Sequence, residues 1–374
     1  MNDKEACILL NMIQGIGYAK VKAICDFLGS PRKIFEKDMG ELKKINGLNE
    51  KTLNSIFEYQ KDGKLNQELK LIEKASVKVI SFLDDDYPSQ LKEISNPPLC
   101  LYSRGNLNCS YDNTIAVVGS RMLTTYGREV IESIIAQLSY AGWNIISGLA
   151  YGTDAAVHRT VVNSNGRTTG VLGGGLMKFH PQEHLELAEK MIEKNGAVIS
   201  EFPMEMPPTR QSFPMRNRII SGLSKGVLVI EAGSKSGSLI TANFALEQGR
   251  QVFAIPGRIN SPQSKGCNAL IKNGAKLVES IDDILDEFEL LPGFKITEKT
   301  NNEMPKLPNS VDNKITLSDD ELKIISCIKN EEKSIDVISV ETSIPLPTLL
   351  TLLMKLELKK QVSQLPGKRY KSKF

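Results

Sequence analysis

Residues 213–257 read FPMRNRIISGLSKGVLVIEAGSKSGSLITANFALEQGRQVFAIPG, and this stretch decides the fold. It contains two apolar runs, GVLVIEAG and RQVFAIPG, that have the length of buried strands and end in turns rich in glycine and other small residues. A segment with helical periodicity lies between them. Strands that alternate with helices in this way predict a parallel sheet that is covered on both faces.

The same alternation extends over residues 74–290. Further apolar runs are VKVISFL, TIAVVGS, WNIISGL, TTGVLGGG, GAVISEF and AKLVES, and helical stretches lie between them. Two of these stretches, YGREVIESIIAQLSYAG and PQEHLELAEKMIEKNG, close with glycine at the position expected of a helix C-terminus. We therefore predict an α/β core with a doubly wound, mostly parallel sheet.

Residues 1–73 have helical periodicity and contain an internal repeat, which predicts a small all-α domain. IQGIGYAKVKAI (13–24) aligns with INGLNEKTLNSI (45–56), and each copy reads as a helix, a glycine turn and a helix. Asn49 stands where the first copy has Gly17, a change we expect to be tolerated because asparagine adopts positive φ. The pair resembles the helix-hairpin-helix motif, which presents backbone N–H groups to phosphates. Two ordinary helical hairpins packed on each other would give the same pattern, so both interpretations stay open.

Residues 291–316 carry three prolines and no periodicity, and they predict a linker. Residues 317–374 then show three helices and a hairpin that turns at Pro366-Gly367, which is the layout of a winged helix. Ser318 and Glu321 predict a capping box at the start of the first helix. From Lys359 onward there are six basic residues and no acidic one, which suits either phosphate contact or a solvated tail.

Composition limits the class of protein. A length of 374 residues predicts two or three domains, and a net charge of +3 means that a polyanion would have to meet locally arranged basic residues. The six cysteines include no CxxC pair, so they predict neither a zinc site nor a disulfide framework. No apolar run approaches the roughly 20 residues that span a bilayer. We therefore expect a cytoplasmic protein.

Small and polar residues follow several predicted strands, where an open α/β sheet binds its ligands. Glycine lets an oxygen-rich ligand approach the backbone, while hydroxyls and the free N–H groups of a helix start donate to it. The pattern predicts an anion crevice, although glycine after a strand is also ordinary turn chemistry. The residues are Gly119, Ser120, Arg121, Ser147, Gly148, Gly173–Gly175, Glu231–Gly233, Ser236, Gly237, Ser238 and Thr241, with Arg216, Arg218 and Lys235 as further cations.

Several kinds of ligand are disfavoured by motifs that the sequence lacks. There is no GxxxxGK[ST] loop, GGGLMKF lacks the third glycine of the dinucleotide fingerprint, and no acidic cluster is placed for magnesium. We therefore predict no cofactor and no metal. HPQEH has the spacing of a zinc-protease motif, but Pro181 disfavours helical geometry at His180 and is expected to open the following helix. Asp154, four residues before His158, predicts a structural Asp–His pair.

The order of motifs resembles that of the DNA-processing protein A family, also called DprA or Smf, of bacterial natural transformation. The motifs are AVVGSR…TTYG, SGLAYGTDAAVH, GVLGGGL…HPQEH, SEFP, FPMRNRIISGLSKGVLVIEA, KSGSLITANFALEQGRQVFAIPG and GCNALIKNGA. The resemblance implies a sterile-alpha-motif-like or helix-hairpin-helix N-terminal domain, an extended Rossmann core and a C-terminal winged helix.

The resemblance also implies a homodimer that binds single-stranded DNA, displaces or works beside single-strand-binding protein, and loads the RecA recombinase. By motif, the implied DNA-binding residues are Gly119, Ser120, Arg121, Ser147, Gly148, Phe213, Arg216, Asn217, Arg218, Lys235, Ser236, Gly237, Ser238 and Thr241. Phe213 is expected either to stack on a base or to sit in the core. Met122 and Tyr151 depart from the family pattern at positions where basic residues are common, and each departure is expected to remove a phosphate contact.

Parts of the sequence fit three classes of function. A non-enzymatic mediator is favoured because the anion loops come without a catalytic constellation. A Rossmann hydrolase of nucleoside monophosphates would use Glu231 as general acid or base, but EAGSKSGSLIT lacks the PGGxGTxxE pattern of such enzymes. A winged helix that reads duplex DNA would need a polar recognition helix, whereas PTLLTLLMKLELK is mostly apolar and predicts a core or protein interface.

Overall fold

The computed structural model describes residues 1–107, 113–289, 319–328, 331–342, 344–358, 361–365 and 369–372. The chain divides into two compact units, Met1–Thr297 and Glu298–Phe374. Several predictions lie outside the described residues: the linker at 291–316, Ser318 of the capping box, and the Pro366-Gly367 turn.

Five helices open the first unit, and they belong to the same compact unit as the sheet that follows. Buried side chains of these helices, such as Leu53 and Ile56, share a hydrophobic core with Val79 and Tyr102 of the first two strands. The helices are α1 (Asp3–Asn11), α2 (Tyr18–Leu28), α3 (Met39–Leu42), α4 (Glu50–Lys61) and α5 (Lys64–Lys74), with a 3-10 turn at Pro31–Phe35.

The internal repeat is visible as two matching glycine turns. Gly15 and Gly47 have φ of 84° and 83°, and the next residue donates to the carbonyl three positions back at 3.1 Å and 3.2 Å. Asn49 does not adopt positive φ, so the expectation for that residue was wrong. Its φ is −102°, and its side chain caps α4 by accepting from the Thr52 N–H at 2.8 Å. A capping residue favours extended backbone, and Gly17 shares that conformation at the start of α2.

Nine strands form one sheet in the described part of the first unit, in the order β1-β2-β6-β5-β4-β3-β7-β8-β9. Strands β3 to β9 pair in parallel, whereas β2 pairs antiparallel with both β1 and β6. The sheet is therefore mostly parallel, as predicted, and β2 is an addition to the predicted strands. The strands are β1 (Lys78–Ser81), β2 (Cys100–Gly105), β3 (Thr114–Val118), β4 (Asn144–Ser147), β5 (Thr168–Val171), β6 (Ala197–Ser200), β7 (Gly226–Val229), β8 (Gln251–Ala254) and β9 (Lys276–Leu277).

Helices cover both faces of this sheet, which explains why its strands are apolar throughout. Alternate residues of β3 enter different cores: Ala116 and Val118 face one, and Ile115 and Val117 face the other. The helices are α6 (Ser89–Lys92), α7 (Thr125–Val130), α8 (Ala136–Tyr140), α9 (Thr153–Asn163), α10 (Leu185–Glu193), α11 (Ser212–Gly222), α12 (Ser238–Glu247), α13 (Lys265–Lys272) and α14 (Asp282–Glu289). A π-helical turn at Ile131–Ile135 joins α7 to α8, and 3-10 turns occur at Gln182–His184 and Pro262–Ser264.

In its described residues, the second unit contains three helices and a small sheet, as a winged helix requires. Its core includes Ile338, Leu349, Leu353 and Tyr370. The elements are α15 (Asp319–Cys327), β10 (Lys333–Ser334), α16 (Ile335–Thr342), α17 (Leu346–Leu358), β11 (Val362–Leu365) and β12 (Arg369–Ser372), with strand order β10-β12-β11.

Candidate functional site

The strand order of the large sheet reverses between β3 and β7. Strands β4, β5 and β6 extend from β3 toward one edge, whereas β7, β8 and β9 extend toward the other. Open α/β sheets bind ligands at such a switch point, outside the carboxyl ends of the strands. A cavity of about 810 Å³ lies here, between the loops that follow β3 and β7 and the first turns of α11, α12 and α13. We call this cavity the crevice.

The loop after β3 is held in place by Thr153 at the start of α9. The Thr153 N–H and hydroxyl both donate to the Ser120 carbonyl, each at 3.0 Å. A Cβ at Gly119 would lie 2.5 Å from the Thr153 hydroxyl oxygen, so this close approach requires glycine. The Ser120 hydroxyl accepts from the Met122 N–H at 3.0 Å. These bonds fix the backbone on which Arg121 stands at the crevice edge.

The loop after β7 leads into the N-terminus of α12. Gly237 is the N-cap residue and offers no side-chain cap, and a Cβ there would meet nothing within 4 Å. The Ser236 and Ser238 hydroxyl oxygens are 2.7 Å apart, and the buried Thr241 lies one turn further along the helix. The start of a ten-residue helix carries partial positive charge, which suits an anion. The Leu239 and Ile240 N–H groups already donate to the Ser236 and Gly237 carbonyls at 3.1 Å and 3.2 Å, so the serine hydroxyls are the donors that this turn adds to the crevice.

Cations outnumber carboxylates along the crevice. Arg121, Arg210, Lys235 and Lys265 are exposed on its wall and form no ion pair with any described residue, whereas Asp154 is the one acidic side chain among the described residues that line it. Sequence reasoning missed Arg210 and Lys265 because it considered the ends of strands and the family motifs. Both residues stand just before or at the start of a helix whose N-terminal end borders the crevice, which is the signal that would have found them.

Arg216 is a buried cation at the base of the crevice, with 5% of its surface exposed. Its guanidinium donates to the Gly148 carbonyl at 2.6 Å and to the Val171 carbonyl. Burial lowers the pKa of Arg216 to about 10, and the nearby Asp154 carboxylate acts in the opposite direction. Arg216 therefore stays protonated at neutral pH and contributes a fixed positive charge, while its hydrogen bonds join the ends of β4 and β5.

Asp154 completes this buried arrangement. One carboxylate oxygen accepts from the Gly148 and Ala150 N–H groups at 3.1 Å and 3.3 Å. Burial raises the pKa of Asp154, and Arg216 and the hydrogen bonds oppose that shift. A Cβ at Gly148 would lie within 2.6 Å of both Asp154 and Arg216, so glycine is required between them. The role of Asp154 is to hold the loop after β4.

Phe213 is half-buried and lines the crevice, a position that fits neither a purely buried core residue nor a free surface ring. The Arg121 guanidinium carbon lies 5.7 Å from the Phe213 ring centroid, and the His180 ring lies 6.0 Å away. Its inner edge packs on Gly173, where a Cβ would be 2.8 Å from the ring. The ring is anchored on one side, and it contributes an aromatic surface to a cationic wall.

Three of the residues that the resemblance implied to bind DNA do not line the crevice, and neither do Gly173–Gly175, Glu231 and Ala232 of the predicted anion loops. Ser147 is buried and donates to the Val117 carbonyl at 2.6 Å, and Gly148 lies behind Arg216. Arg218 forms a buried bidentate ion pair with Glu201, at 2.7 Å and 2.6 Å, and donates to the Asn96 carbonyl at 2.9 Å. Arg218 lies two residues after Arg216 on α11 and points to another face of the helix. Arg218 therefore does not line the crevice where the other predicted cations lie, and its contact with DNA stays a prediction.

Glu231 has a structural role. It is buried, and its two carboxylate oxygens accept from the Thr124 N–H at 3.0 Å and from the Thr124 hydroxyl at 2.6 Å. Thr124 is the N-cap residue of α7, so Glu231 anchors the start of that helix. Glu231 does not line the crevice.

Two of the three histidines, His158 and His184, are buried. His158 does not pair with Asp154 as expected, because its Nδ1 lies 2.7 Å from the Thr168 hydroxyl. That hydroxyl donates to the Ile145 carbonyl, so Nδ1 carries the proton and the buried Nε2 has no partner among the described residues. Pro181 is the N-cap of a 3-10 turn and not the first residue of a helix. Of the described side chains, no group of three or more His, Cys, Asp and Glu could hold a metal ion.

The two departures from the family pattern have different surroundings. Met122 is 74% exposed and lines the crevice, where a basic side chain would add a cation. Tyr151 instead donates its hydroxyl to Glu183 at 2.9 Å, away from the crevice.

Fold and crevice together define a Rossmann-type protein that has a cation-lined crevice and carries a winged-helix unit. The sequence pattern of the DNA recombination-mediator protein A family matches residues 78–289, and that of the DprA winged helix domain matches residues 308–368. The chain belongs to the DNA recombination-mediator protein A family. It is 39% identical to Protein Smf of Escherichia coli over 287 residues, which cover 75% of this chain and 74% of that protein. It is 43% identical to the DNA processing protein DprA of Bacillus subtilis over 225 residues, or 60% of this chain and 75% of that protein.

Solved structures agree with this assignment. DNA processing protein A of Streptococcus pneumoniae superposes with a TM-score of 0.65 at 36% identity, over 77% of this chain and 97% of that chain. DNA processing protein A of Helicobacter pylori, solved in a study of its single-stranded DNA binding mode, superposes with a TM-score of 0.51 at 25% identity, over 56% of this chain and 95% of that chain. Within the described residues, no helix combines the length and apolar character needed to cross a membrane.

Proposed function

We propose that the crevice binds single-stranded DNA. The observation that carries the proposal is the excess of cations on its wall: Arg121, Arg210, Lys235 and Lys265 are exposed, and Arg216 adds a buried charge. A single strand combines phosphates, which suit these cations and the N-terminus of α12, with bases, which suit the Phe213 ring. The Helicobacter pylori relative, described as binding single-stranded DNA, supports the same ligand.

We assign the direct contacts to the residues that face the crevice. Phosphates would meet the backbone of Gly119, Ser120 and Gly237, the hydroxyls of Ser236, Ser238 and Thr241, the Asn217 amide, and the exposed cations. Arg216 would act through the loops it holds and through its charge. Ser147, Gly148 and Arg218 would support the fold beneath the site.

We further propose that binding involves no covalent chemistry. Support comes from Glu231, whose oxygens are both bonded to Thr124, and from Asp154, which is buried and bonded to backbone N–H groups. Replacing Glu231 by Gln gives the test. A hydrolase would release base or phosphate from nucleoside monophosphates and lose that activity in the variant, whereas a mediator shows no turnover in either protein.

In the cell, we propose that the protein is a cytoplasmic homodimer that helps load RecA onto single strands and works beside single-strand-binding protein during DNA uptake. The family assignment supports a mediator role, and the free described cysteines suit a reducing compartment. The test is RecA ATPase activity on strands coated with single-strand-binding protein, with light scattering to measure oligomeric state. A RecA rate that the protein does not accelerate would contradict the loading role.

The binding proposal is tested by fluorescence anisotropy of a labelled oligothymidine and of the matching duplex, at several salt concentrations. We expect a salt-sensitive preference for the single strand. Arg121→Ala should weaken binding and reduce the log–log salt slope by about 0.7, the value for one lost phosphate contact. Arg159→Ala is the control, because Arg159 is exposed on α9 outside the crevice. If Arg121→Ala leaves the salt slope unchanged, Arg121 does not contact a phosphate. If the unaltered protein binds duplex and single strand with equal affinity, the proposal is refuted.

A further inference from the structure

A second cavity, of about 510 Å³, lies between the first helical hairpin and the α/β core. One wall is the turn from Asn11 to Tyr18 between α1 and α2. The opposite wall is formed by Asn96–Leu99, by the segment from Glu201 to Met206, and by the start of α11. We call it the hairpin cavity. It is not required by any role assigned to the crevice.

The crevice and the hairpin cavity share α11 and the residues just before it as a wall. Arg210, Phe213 and Arg216 line the crevice, whereas Gln211, Met215 and Arg218 line the hairpin cavity. Side chains two positions apart on a helix point to different sides, so this segment separates the cavities by about one helix diameter, or roughly 10 Å. A nucleic-acid strand that leaves the crevice across this segment therefore reaches the hairpin cavity within one or two nucleotides.

The lining of the hairpin cavity suits a neutral ring better than a phosphate. Its charged side chains, Arg218 and Glu201, are bonded to each other. Met12, Tyr18, Pro98, Met206 and Met215 supply apolar and polarisable surface. Gln14, Asn96, Thr209 and Gln211 supply hydrogen-bonding groups at intervals around it. Apolar surface combined with amide and hydroxyl groups is the environment that a nucleobase needs.

We propose that the hairpin cavity holds a base of the same single strand that occupies the crevice, with the phosphates remaining outside. The proposal rests on the proposed function of the crevice. It gives the N-terminal helices a role in strand binding through a cavity wall, separate from any phosphate contact by the glycine turns. It also predicts that the strand crosses the start of α11, between Phe213 and Met215.

Gly17 offers a way to fill the cavity without disturbing the fold. It lines the cavity, has extended backbone with φ of −129°, and a Cβ there would meet nothing within 4 Å. Gly17→Trp should therefore be accommodated and should occupy the space of a base. Asn49→Trp is the matched control, because Asn49 is the equivalent N-cap residue of the second hairpin and does not line the cavity. Asn49→Trp also removes the side-chain cap of α4, whereas Gly17 provides no side-chain cap for α2. The control should therefore destabilise the protein at least as much as Gly17→Trp does.

The experiment measures anisotropy with an oligothymidine of about 12 nucleotides, within the usual site size of single-strand binders. One base at a time is replaced by an abasic unit. For the unaltered protein, we expect one or two positions outside the crevice footprint at which base removal weakens binding by about tenfold. In Gly17→Trp the intact oligonucleotide should already bind about tenfold more weakly, and base removal at those positions should have no further effect. Asn49→Trp should behave like the unaltered protein.

The outcomes separate this proposal from the one on which it rests. If Gly17→Trp shows the same affinity and the same abasic profile as the unaltered protein, the hairpin cavity holds no base, and the crevice proposal stands. If both Trp variants lose affinity equally, the effect is one of stability and the cavity assignment is overturned. If the unaltered protein binds no single strand, the proposed function itself has failed.

Discussion

At the residue scale, Arg216 and Arg218 show how two similar side chains acquire different roles. They are two positions apart on α11, and both are buried, but they point to different faces. Arg216 is bonded to carbonyls beneath a cationic crevice, whereas Arg218 is bonded to a carboxylate. The sequence motif FxxRNR contains both, so spacing alone does not distinguish a charge that faces the ligand site from one that holds the fold.

This difference predicts that Arg218→Met destabilises the protein without abolishing strand binding. Methionine keeps part of the buried stem but leaves the Glu201 carboxylate unpaired, which costs about 3–5 kcal/mol of unfolding free energy. The control is Arg104→Met, because the Arg104–Glu189 pair has similar geometry and is half-exposed, and it should cost under about 1 kcal/mol. Urea unfolding measures the stability, and anisotropy measures binding at a temperature where both variants are folded. If the Arg218→Met protein is as stable as the unaltered protein but binds single-stranded DNA more weakly, then Arg218 contributes to DNA binding and this prediction is wrong.

A buried neutral histidine predicts how stability depends on pH. Burial lowers the pKa of His158 to about 3, with His184 and Arg216 contributing in the same direction, from an unfolded value of about 6.5. Below pH 6.5 the unfolded chain binds a proton that the folded protein excludes, so stability falls as pH decreases, until the folded pKa is reached. Between pH 6.5 and pH 5 this group should remove about 2 kcal/mol of unfolding free energy.

The test is urea unfolding across that pH range, with His158→Asn as the variant. Asparagine retains a donor for the Thr168 hydroxyl but does not titrate, so its stability should change less over the same interval. Asp154 and Glu68, whose pKa values are raised by burial, act in the opposite direction as they become protonated. Because both proteins carry these two groups, the difference between the two pH profiles reports on His158. Parallel pH profiles for the two proteins would show that His158 does not contribute.

At the element scale, the sequence predicted most of the large sheet because seven of its nine strands pair in parallel, with near-continuous apolar runs. It missed β2, whose segment CLYSRG ends in a charged residue and a glycine and pairs antiparallel near the edge. It missed Arg210 and Lys265 because they stand just before α11 and at the start of α13 and not after a strand, and tertiary packing brings those helix starts to the crevice. The local sequence pattern predicts whether a segment is a helix or a strand. The composition of a site also depends on which helices and strands pack beside one another.

The paired hairpins carry an element-scale prediction about glycine. Gly15 and Gly47 have φ near +84°, a region that costs an L-residue roughly 1–2 kcal/mol. Gly15→Ala and Gly47→Ala should each lower the unfolding free energy by about that amount. Gly17→Asn is the control, because its extended backbone accepts asparagine and the second hairpin already uses Asn49 as a cap. Thermal and urea unfolding measure all three, and equal losses at Gly15 and Gly17 would contradict the matched geometry of the turns.

At the scale of the whole molecule, the crevice and the hairpin cavity both belong to the unit Met1–Thr297. The winged helix forms its own core from α15, α16 and α17 with a small sheet. Leu346 and Leu350 are exposed on α17, the helix that would enter a DNA groove in a DNA-reading winged helix. Apolar residues there disfavour base readout, so we assign single-strand binding to the first unit.

Removing residues 298–374 should therefore leave strand binding by residues 1–297 within about twofold in Kd, since the unit retains its own cores and its whole crevice. A twofold change is about 0.4 kcal/mol, less than the loss of one good contact. Anisotropy with oligothymidine at matched salt measures the effect, and circular dichroism establishes that the shortened protein is folded. The salt slope is the sharper readout, because basic residues of the second unit that touched phosphates would lower it by about 0.7 each when removed. A folded shortened protein that binds far more weakly, with a reduced slope, would place part of the strand on the winged helix.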